Sequence, residues 1–314
     1  MQTEETLVAA ATGGDEQAFA LLTERHRRAL HLHCYRMLGS LDDADDAVQE
    51  TMLRAWRGLD RFEPRAPLVA WLHTIATNVC LTALGNRRRR DLLHLQPYPD
   101  LLLERLEAPA PWPDARLALR ESVELAFVTA MQLLPPKQRA VLILRDVLGW
   151  SARETAAALG DSVPAVNSAL QRARTGVERA REENPVGHTL RDPERERALL
   201  ARFMAAWDAI DIDGLVELLT ADALMTMPPV PMRVEGAAAI GAFFATVPAE
   251  GRLDEFSFVH TRANGQPALA AYIRGRTYGL MVFSLADEHV TGIVGFSSPT
   301  LFERFGLPST LEAS

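Results

Sequence analysis

The chain has 314 residues, which is too long for one ordinary domain and suits two or three, each with a core of its own. Hydrophobic residues make up 48% of the sequence and charged residues 24%, a balance that excludes an intrinsically disordered chain. We expect a cytoplasmic protein without a membrane segment, because no apolar run approaches the length of a bilayer span and the start lacks the basic residues of a secretory signal.

The net charge of −8 argues against nucleic acid as a partner until its distribution is considered. Residues 185–314 contain 10 Lys and Arg against 16 Asp and Glu, a net charge of −6, which leaves −2 for residues 1–184. Basic residues in the first part occur in two groups, Arg87 to Arg90 and Arg172 to Arg181. Such local groups can bind phosphates even when the whole chain is acidic.

The two cysteines, Cys34 and Cys80, predict buried free thiols and not a disulfide framework. His31, His33 and Cys34 form an HxHC sequence that could suggest a metal site. No second Cys or His pair with ligand spacing accompanies it, so we predict helix-packing roles, no metal and no cofactor.

Residues 15–92 predict a helical bundle, because their apolar residues recur at helical spacing. Five prolines between residues 97 and 113 break helices, and we assign residues 93–118 to a linker. Residues 119–182 are again helical and end at a second break, Asn184 to Gly187. The fold class is therefore multidomain, with two all-α domains in the first 182 residues.

Residues 193–308 predict a third domain of α+β type. Leu199, Phe203 and Trp207 form the stripe of an amphipathic helix after Pro193. Strand-like runs follow near 255–261, 268–273, 278–284 and 289–296, separated by Gly, Asn and Asp turns. We expect helices followed by a mostly antiparallel sheet.

Residues 151–177 have the pattern of a helix-turn-helix, with Gly160 at the turn. Val166, Leu170, Ala173 and Val177 form the apolar face of its second helix. The opposite face carries side chains that can read base edges in a major groove: Asn167, Ser168, Gln171, Arg172 and Arg174. The alternative is a solvated polar face on an ordinary helical hairpin.

The helix before it begins with Leu-Pro and contains Arg139; Gly149, Glu154, Leu159-Gly160 and an Arg-Ala-Arg triplet follow. This series resembles region 4 of the extracytoplasmic-function sigma factors, which binds the −35 promoter element. Pro164 stands where that family more often has glycine or a polar residue, which leaves the set of base contacts open.

Residues 34–62, CYRMLGSLDDADDAVQETMLRAWRGLDRF, are similar to the helix of region 2 that binds core RNA polymerase in the same family. The matching positions are Asp43, Asp46, Gln49, Glu50 and Leu53. Asp46, Glu50 and Leu53 share one helical face, as a partner-binding surface requires. Read alone, these residues would also suit a solvent face with an acidic first turn.

Residues 68–90 resemble the region 2 helix that recognises and melts the −10 element, through Trp71, Leu72, Ile75, Ala76 and Asn78 and a basic end. In the family, the loop before this helix captures a flipped base. The resemblance implies DNA contacts from Arg61, Arg65, Asn78, Arg87, Arg88, Arg89 and Arg90. Alternatively, Trp71 is a core aromatic and the arginine run a solvated helix end.

Sequence segments such as GLVELLTADALMTMPP and ANGQPALAAY make the third domain resemble the SnoaL-like group. That group has a cone-shaped sheet and a pocket. Relatives include enzymes, and Asp208, His260 and Arg274 are the polar candidates here. No spacing links them as acid and base, so we predict no catalytic residue and a regulatory role. A small-molecule ligand or an intramolecular contact of this domain is the expected partner.

The resemblance implies a sigma factor, not an enzyme, that binds core RNA polymerase and promoter DNA at the −35 and −10 elements. In one alternative, the third domain, here called the tail, is a small-molecule enzyme or ligand sensor attached to a DNA-binding module. In another, the chain is a free-standing helix-turn-helix regulator. A strand-melting helix argues against the latter, because a simple repressor has no need of one.

Overall fold

The computed structural model describes residues 3–62, 67–86, 95–104, 122–183, 190 and 192–311, without the side chains of Arg61 and Glu183. The chain forms two compact units. The N-terminal unit comprises Met1–Leu92, Leu106–Ser122 and Phe127–Ala180. The C-terminal unit comprises Leu93–Arg105, Val123–Ala126 and Arg181–Ser314.

Most of the described part of the first 183 residues is helical. The helices are α1 Glu4–Thr12, α2 Glu16–Leu38, α3 Leu41–Gly58, α4 Leu68–Asn86, α5 Asp100–Leu103, α6 Leu125–Leu133, α7 Pro136–Leu142, α8 Ala152–Leu159 and α9 Val163–Glu183. The side chain of Asp15 accepts hydrogen bonds from two backbone amides at the start of α2, and the Ser40 hydroxyl accepts one from the Asp43 amide at the start of α3. Gly39 ends α2 in the left-handed conformation, at φ 75°.

Helix α4 is long and apolar enough to cross a membrane by length and composition, so the expectation that no run reaches that length was wrong. Its Leu72, Ala76 and Cys80 are fully buried, and the helix packs against α2, α3, α7 and α8. These contacts make α4 a core helix of the N-terminal unit, which explains its apolar composition, while Asn78 remains exposed on one side.

The helix-turn-helix is formed by α8 and α9. Ser151 and Glu154 make reciprocal hydrogen bonds that cap α8, and Gly160 ends it at φ 64°. Val166, Leu170, Ala173 and Val177 are buried, as the sequence pattern predicts. The opposite face of α9 therefore points to solvent.

Arg139 joins the two halves of the N-terminal unit. Its side chain is 1% exposed. The guanidinium donates to the carbonyl of Met37 at the end of α2, to that of Gln132 (2.9 Å) near the end of α6, and to that of Leu134 (3.2 Å) just after α6. Gln132 in turn donates to the carbonyl of Arg36, 3.2 Å away. The last carbonyls of α2, which no helical amide can reach, are thus satisfied by the second half of the unit.

We expect Arg139→Met to lower the free energy of unfolding of the N-terminal unit by about 3 kcal/mol, because buried carbonyls lose a charged donor. Urea unfolding followed by helical circular dichroism measures it. Arg27→Met, which removes an exposed arginine paired with Glu24 on α2, is the control and should cost at most about 1 kcal/mol. Equal losses in the two variants would contradict the role given to Arg139.

The C-terminal unit contains a six-stranded sheet. Its further helices are α10 Pro193–Asp208, α11 Ile212–Glu217, α12 Ala237–Thr246 and α13 Leu301–Arg304. The strands are β1 Leu219–Met227, β2 Val230–Glu235, β3 Phe256–Ala263, β4 Gln266–Ile273, β5 Arg276–Ala286 and β6 His289–Phe296. Their order is β2-β1-β6-β5-β4-β3, and only the β1–β6 pair is parallel among the described strands.

This arrangement confirms the predicted α+β class, and β3 to β6 correspond to the four predicted runs. Strands β1 and β2 were not predicted. Bulges interrupt the register at Thr226/Met227, Ala271/Tyr272 and Ser284/Leu285, and bulges bend a sheet. One face of the bent sheet packs around Phe203 and Trp207 of α10 and Phe244 of α12.

Part of the segment assigned to the linker folds with the C-terminal unit. Residues 95–104, here called the linker segment, lie along the β3–β4 turn, where Pro99 bridges to Ala263. The backbone amide of Tyr98 donates to Asn264 Oδ1 (2.6 Å), and the backbone amide of Asn264 donates to the Tyr98 carbonyl (2.8 Å). The Gly265 amide donates to Asp100 (2.7 Å). Tyr98 is 1% exposed, so this segment is anchored.

The same turn also holds the start of α6. Asn264 Nδ2 donates to the carbonyl of Val123 (2.6 Å), and Gln266 Oε1 accepts from the amide of Leu125 (3.0 Å). Asn264 and Gln266 are both buried. Residues 263–266, here called the clamp turn, therefore bind both ends of the connection between the predicted regions 2 and 4.

Candidate functional site

The residues of α3 that resemble a polymerase-binding helix lie on one side of it. Asp46, Gln49 and Leu53 are exposed, and Asp43 and Glu50 are half-buried. Leu53 is 45% exposed, although it is a large apolar side chain. Glu50 forms an ion pair with Arg54 at 2.6 Å. An exposed leucine between carboxylates and an amide is a surface that a protein partner can bury.

The five candidate base-reading residues of α9 are all exposed: Asn167, Ser168, Gln171, Arg172 and Arg174. They differ in electrostatic state. Arg174 makes a two-point ion pair with Asp146, with N–O distances of 2.7 and 2.8 Å. The hydrogen bonds to Asp146 raise the pKa of the Arg174 guanidinium. Arg172 is exposed and has no ion pair within the described chain.

The residues predicted to contact the −10 element are only partly described. Asn78 is exposed on α4, and its side-chain nitrogen lies 3.5 Å from the carbonyl of Ala158 on α8. The side chain of Arg61, and Arg65 and Arg87 to Arg90, lie outside the described residues. Trp71 is half-buried and packs against Phe62, with ring centroids 5.1 Å apart.

The HxHC sequence lies in the interior of the bundle. His33 Nε2 is 2.9 Å from the Thr77 hydroxyl, and the His33 ring meets that of His73 edge to face at 5.1 Å. Burial lowers the pKa of His33 and lowers that of His73 to about 4, so both rings are neutral at pH 7. Cys34 and Cys80 are buried free thiols, as predicted. Burial and a hydrogen bond to Cys34 raise the pKa of Cys80.

The polar candidates of the tail do not come together. Asp208 ends α10 and His260 lies on β3, both exposed. Arg274 lies in the β4–β5 turn and pairs with Glu255 at 2.6 Å. The cavity of the C-terminal unit is lined by other, mostly apolar side chains, among them Trp207, Met225 and Phe256. The three candidates therefore form no common site.

Three family models match the chain in the predicted order: Sigma-70 region 2 over residues 22–90, Sigma-70 region 4 over residues 124–175, and a SnoaL-like domain over residues 200–293. The ECF RNA polymerase sigma factor SigG of Mycobacterium tuberculosis is 44% identical, over 93% of this chain and 85% of its own length. The chain belongs to the extracytoplasmic-function sigma factors.

As a sigma factor, it binds core RNA polymerase and directs promoter recognition at the start of transcription. SigM of the same species is 36% identical over 55% of this chain and 82% of its own length. The crystal structure of M. tuberculosis SigJ matches with a TM-score of 0.63 at 24% identity, over 90% of this chain and 97% of that one. That likeness shows that this chain shares the fold of SigJ over most of its length, including the C-terminal unit.

The contacts of the clamp turn with residues 98 and 123–125 were not predicted from the sequence. The signal for the turn is the Asn264-Gly265 pair, a dipeptide typical of tight hairpins, and both residues have positive φ, 57° and 74°. The dipeptide predicts the turn but not its partners, because Tyr98 and Val123 are far away in sequence. Similarly, the sequence pattern includes Arg139 but does not predict that its side chain binds the end of α2.

We expect Gln171→Ala or Arg172→Ala to relax the preference of the holoenzyme at particular bases of the −35 element, with a cost of about 1 to 3 kcal/mol per good contact. Binding to a panel of single-base promoter variants measures the change. Arg202→Ala, which removes an exposed arginine from α10, is the control for loss of charge. A loss that is uniform over all base substitutions would mean that these residues contact phosphate.

Proposed function

We propose that this sigma factor binds core polymerase through Asp43, Asp46, Gln49, Glu50 and Leu53, and reads the −35 element through the exposed face of α9. The single observation that carries the proposal is the exposure of both faces while the opposite side of each helix is buried. For the −10 element we propose Arg61, Arg65, Asn78 and the run Arg87 to Arg90, which supply positive charge for a displaced strand.

We expect Asp46→Ala with Leu53→Ala to weaken binding to core polymerase about tenfold or more, because an apolar contact and a charge are lost from one interface. Co-purification and titration with core enzyme measure it. Glu16→Ala with Leu21→Ala is the matched control, since it removes an exposed acid and an exposed leucine from α2. Parental affinity in the α3 variant, with unchanged helical content, would remove this face from the proposal.

We further propose that the packed N-terminal unit must open before it can occupy a whole promoter. The −35 and −10 elements are about 25 base pairs apart, or roughly 85 Å along a duplex at 3.4 Å per pair. A compact unit of its length has a radius of gyration of about 15 Å. Regions 2 and 4, joined through Arg139 and Met37, cannot reach both elements at once.

The C-terminal unit is proposed to act on this opening through the clamp turn. The connection between regions 2 and 4 has to extend when they separate. Here both of its ends are bound to residues 264–266 by buried hydrogen bonds, which are stronger than exposed ones. The tail therefore modulates transcription by restraining the connection.

We expect Asn264→Gly to raise run-off transcription about threefold or more at unchanged affinity for core polymerase, because weaker clamping lowers the cost of opening. Glycine keeps the positive φ and removes only the side chain. Asp287→Gly is the matched control, at a residue with φ 53° in the exposed β5–β6 turn. Output equal to that of the parent, or lower, would overturn the restraining role.

The tail is proposed to be a regulatory domain without catalysis. Sigma factors of this kind are not enzymes, and Asp208, His260 and Arg274 lie apart in the tail. As a subunit of a cytoplasmic polymerase, the chain is proposed to work in the cytoplasm. A small-molecule turnover by the full chain would favour the alternative of an enzyme attached to a DNA-binding module.

A further inference from the structure

The C-terminal unit contains a cavity of about 170 Å³ between the bent sheet and helices α10 and α12. All of its lining residues belong to this unit, from Trp207 to Ser297. None of them takes part in the clamp turn or in the proposed DNA and polymerase surfaces. The cavity is therefore a feature that promoter recognition leaves unexplained.

The inner wall is aromatic and sulfur-rich. The Trp207 ring meets Phe244, Phe256 and Phe258 edge to face, with centroids 5.0, 5.6 and 5.3 Å apart. Met225 and Met281 line the cavity beside them. Aromatic edges and polarizable thioethers make favourable contacts with the faces of another ring.

The wall offers little hydrogen bonding to a ligand. Trp207 Nε1 already donates to the carbonyl of Leu253, 3.2 Å away. The described lining contains no Asp, Glu, His, Lys or Arg, and its hydroxyl groups, on Tyr278 and Ser297, belong to exposed residues. A buried charge without a partner is strongly disfavoured, so an ionised ligand is excluded from the interior.

The mouth of the cavity is apolar as well. Val230, Val247 and Tyr278 line it and are 58, 55 and 37% exposed. Large apolar side chains exposed together mark binding sites. Ala249 and Glu250 follow Val247 closely in the chain and have φ values of 48° and 58°. This backbone conformation costs free energy in residues other than glycine and often accompanies ligand sites.

The volume limits the size of the occupant. A dry apolar cavity of about 150 Å³ in another protein accepts benzene. Drug-sized ligands need about 300 Å³ or more, so neither these nor a peptide helix can enter. We propose that the cavity binds a small uncharged apolar molecule of one or two rings, which makes the tail of this sigma factor a receptor for an aromatic or alicyclic compound.

Such a molecule is bound and released unchanged. The cavity presents no carboxylate, imidazole or amine in the described lining that could move a proton at neutral pH. Its bound state adds stability to the C-terminal unit through mass action. The proposal is independent of the assignment of polymerase and DNA contacts.

Toluene and benzoate test the proposal, because they have the same ring but differ in charge. Saturation-transfer NMR and the thermal midpoint of the full chain are measured with each. We expect saturable toluene binding with a raised midpoint, and no effect of benzoate at equal concentration. Absence of toluene binding up to its aqueous solubility, or equal binding of benzoate, would overturn the proposal.

Two variants locate the binding. Ala271→Phe places a ring in the cavity from β4, and the Kd for toluene should rise about tenfold or more. Met204→Phe enlarges a side chain that packs against the same core but is not in the lining, and should bind toluene normally. Unchanged affinity in Ala271→Phe would place toluene elsewhere and overturn the assignment.

The reverse change serves if Ala271→Phe does not fold. Met225→Ala enlarges the cavity by most of a side chain, and should shift its preference from toluene toward naphthalene. The ratio of the two Kd values is compared with that of the parent chain. A gain of about tenfold in the relative affinity for naphthalene supports the cavity site, and an unchanged ratio overturns it.

Discussion

A buried guanidinium carries the contact between the two sigma regions. Burying an arginine costs several kcal/mol unless hydrogen bonds offset the loss of water. The Nη1 and Nη2 atoms of Arg139 donate to carbonyls from both halves of the N-terminal unit. The Met37 carbonyl lies at the negative end of the α2 dipole, which a cation stabilises. The contact therefore exists only when regions 2 and 4 are packed together, which is the state that we propose must open for promoter binding.

The sheet of the C-terminal unit has a polar contact region at one turn and an apolar cavity within its bend. At the β3–β4 turn, polar groups of Asn264 and Gln266 are buried and paired with backbone groups of the connection. Within the bend of the sheet, by contrast, Trp207 and its neighbours enclose an apolar space. Leu269 and Ala271 face that core from the same strand that Gln266 begins. A ligand in the cavity and a restraint on the connection would therefore share strand β4.

The polar face of α9 shows why exposure and availability are different properties. All five candidate residues are exposed, yet Arg174 is held by two bonds to Asp146. An exposed ion pair contributes about 1 kcal/mol at most, so DNA phosphates can compete for this arginine at modest cost. Arg172 needs no such exchange. The face thus contains one arginine without an ion pair in the described chain and one that is paired with Asp146.

The sequence by itself determined the helical halves, their order, the polar face of α9 and strands β3 to β6, because each of these depends on local periodicity and turn residues. It did not determine β1, whose Ala, Leu and Met residues have no strand preference and which pairs in parallel with the distant β6. Tertiary structure alone decided that Tyr98 and Val123 bind Asn264, and that Trp207 lines a cavity and does not fill it. These contacts join residues far apart in the chain, and no local pattern encodes which distant surfaces meet.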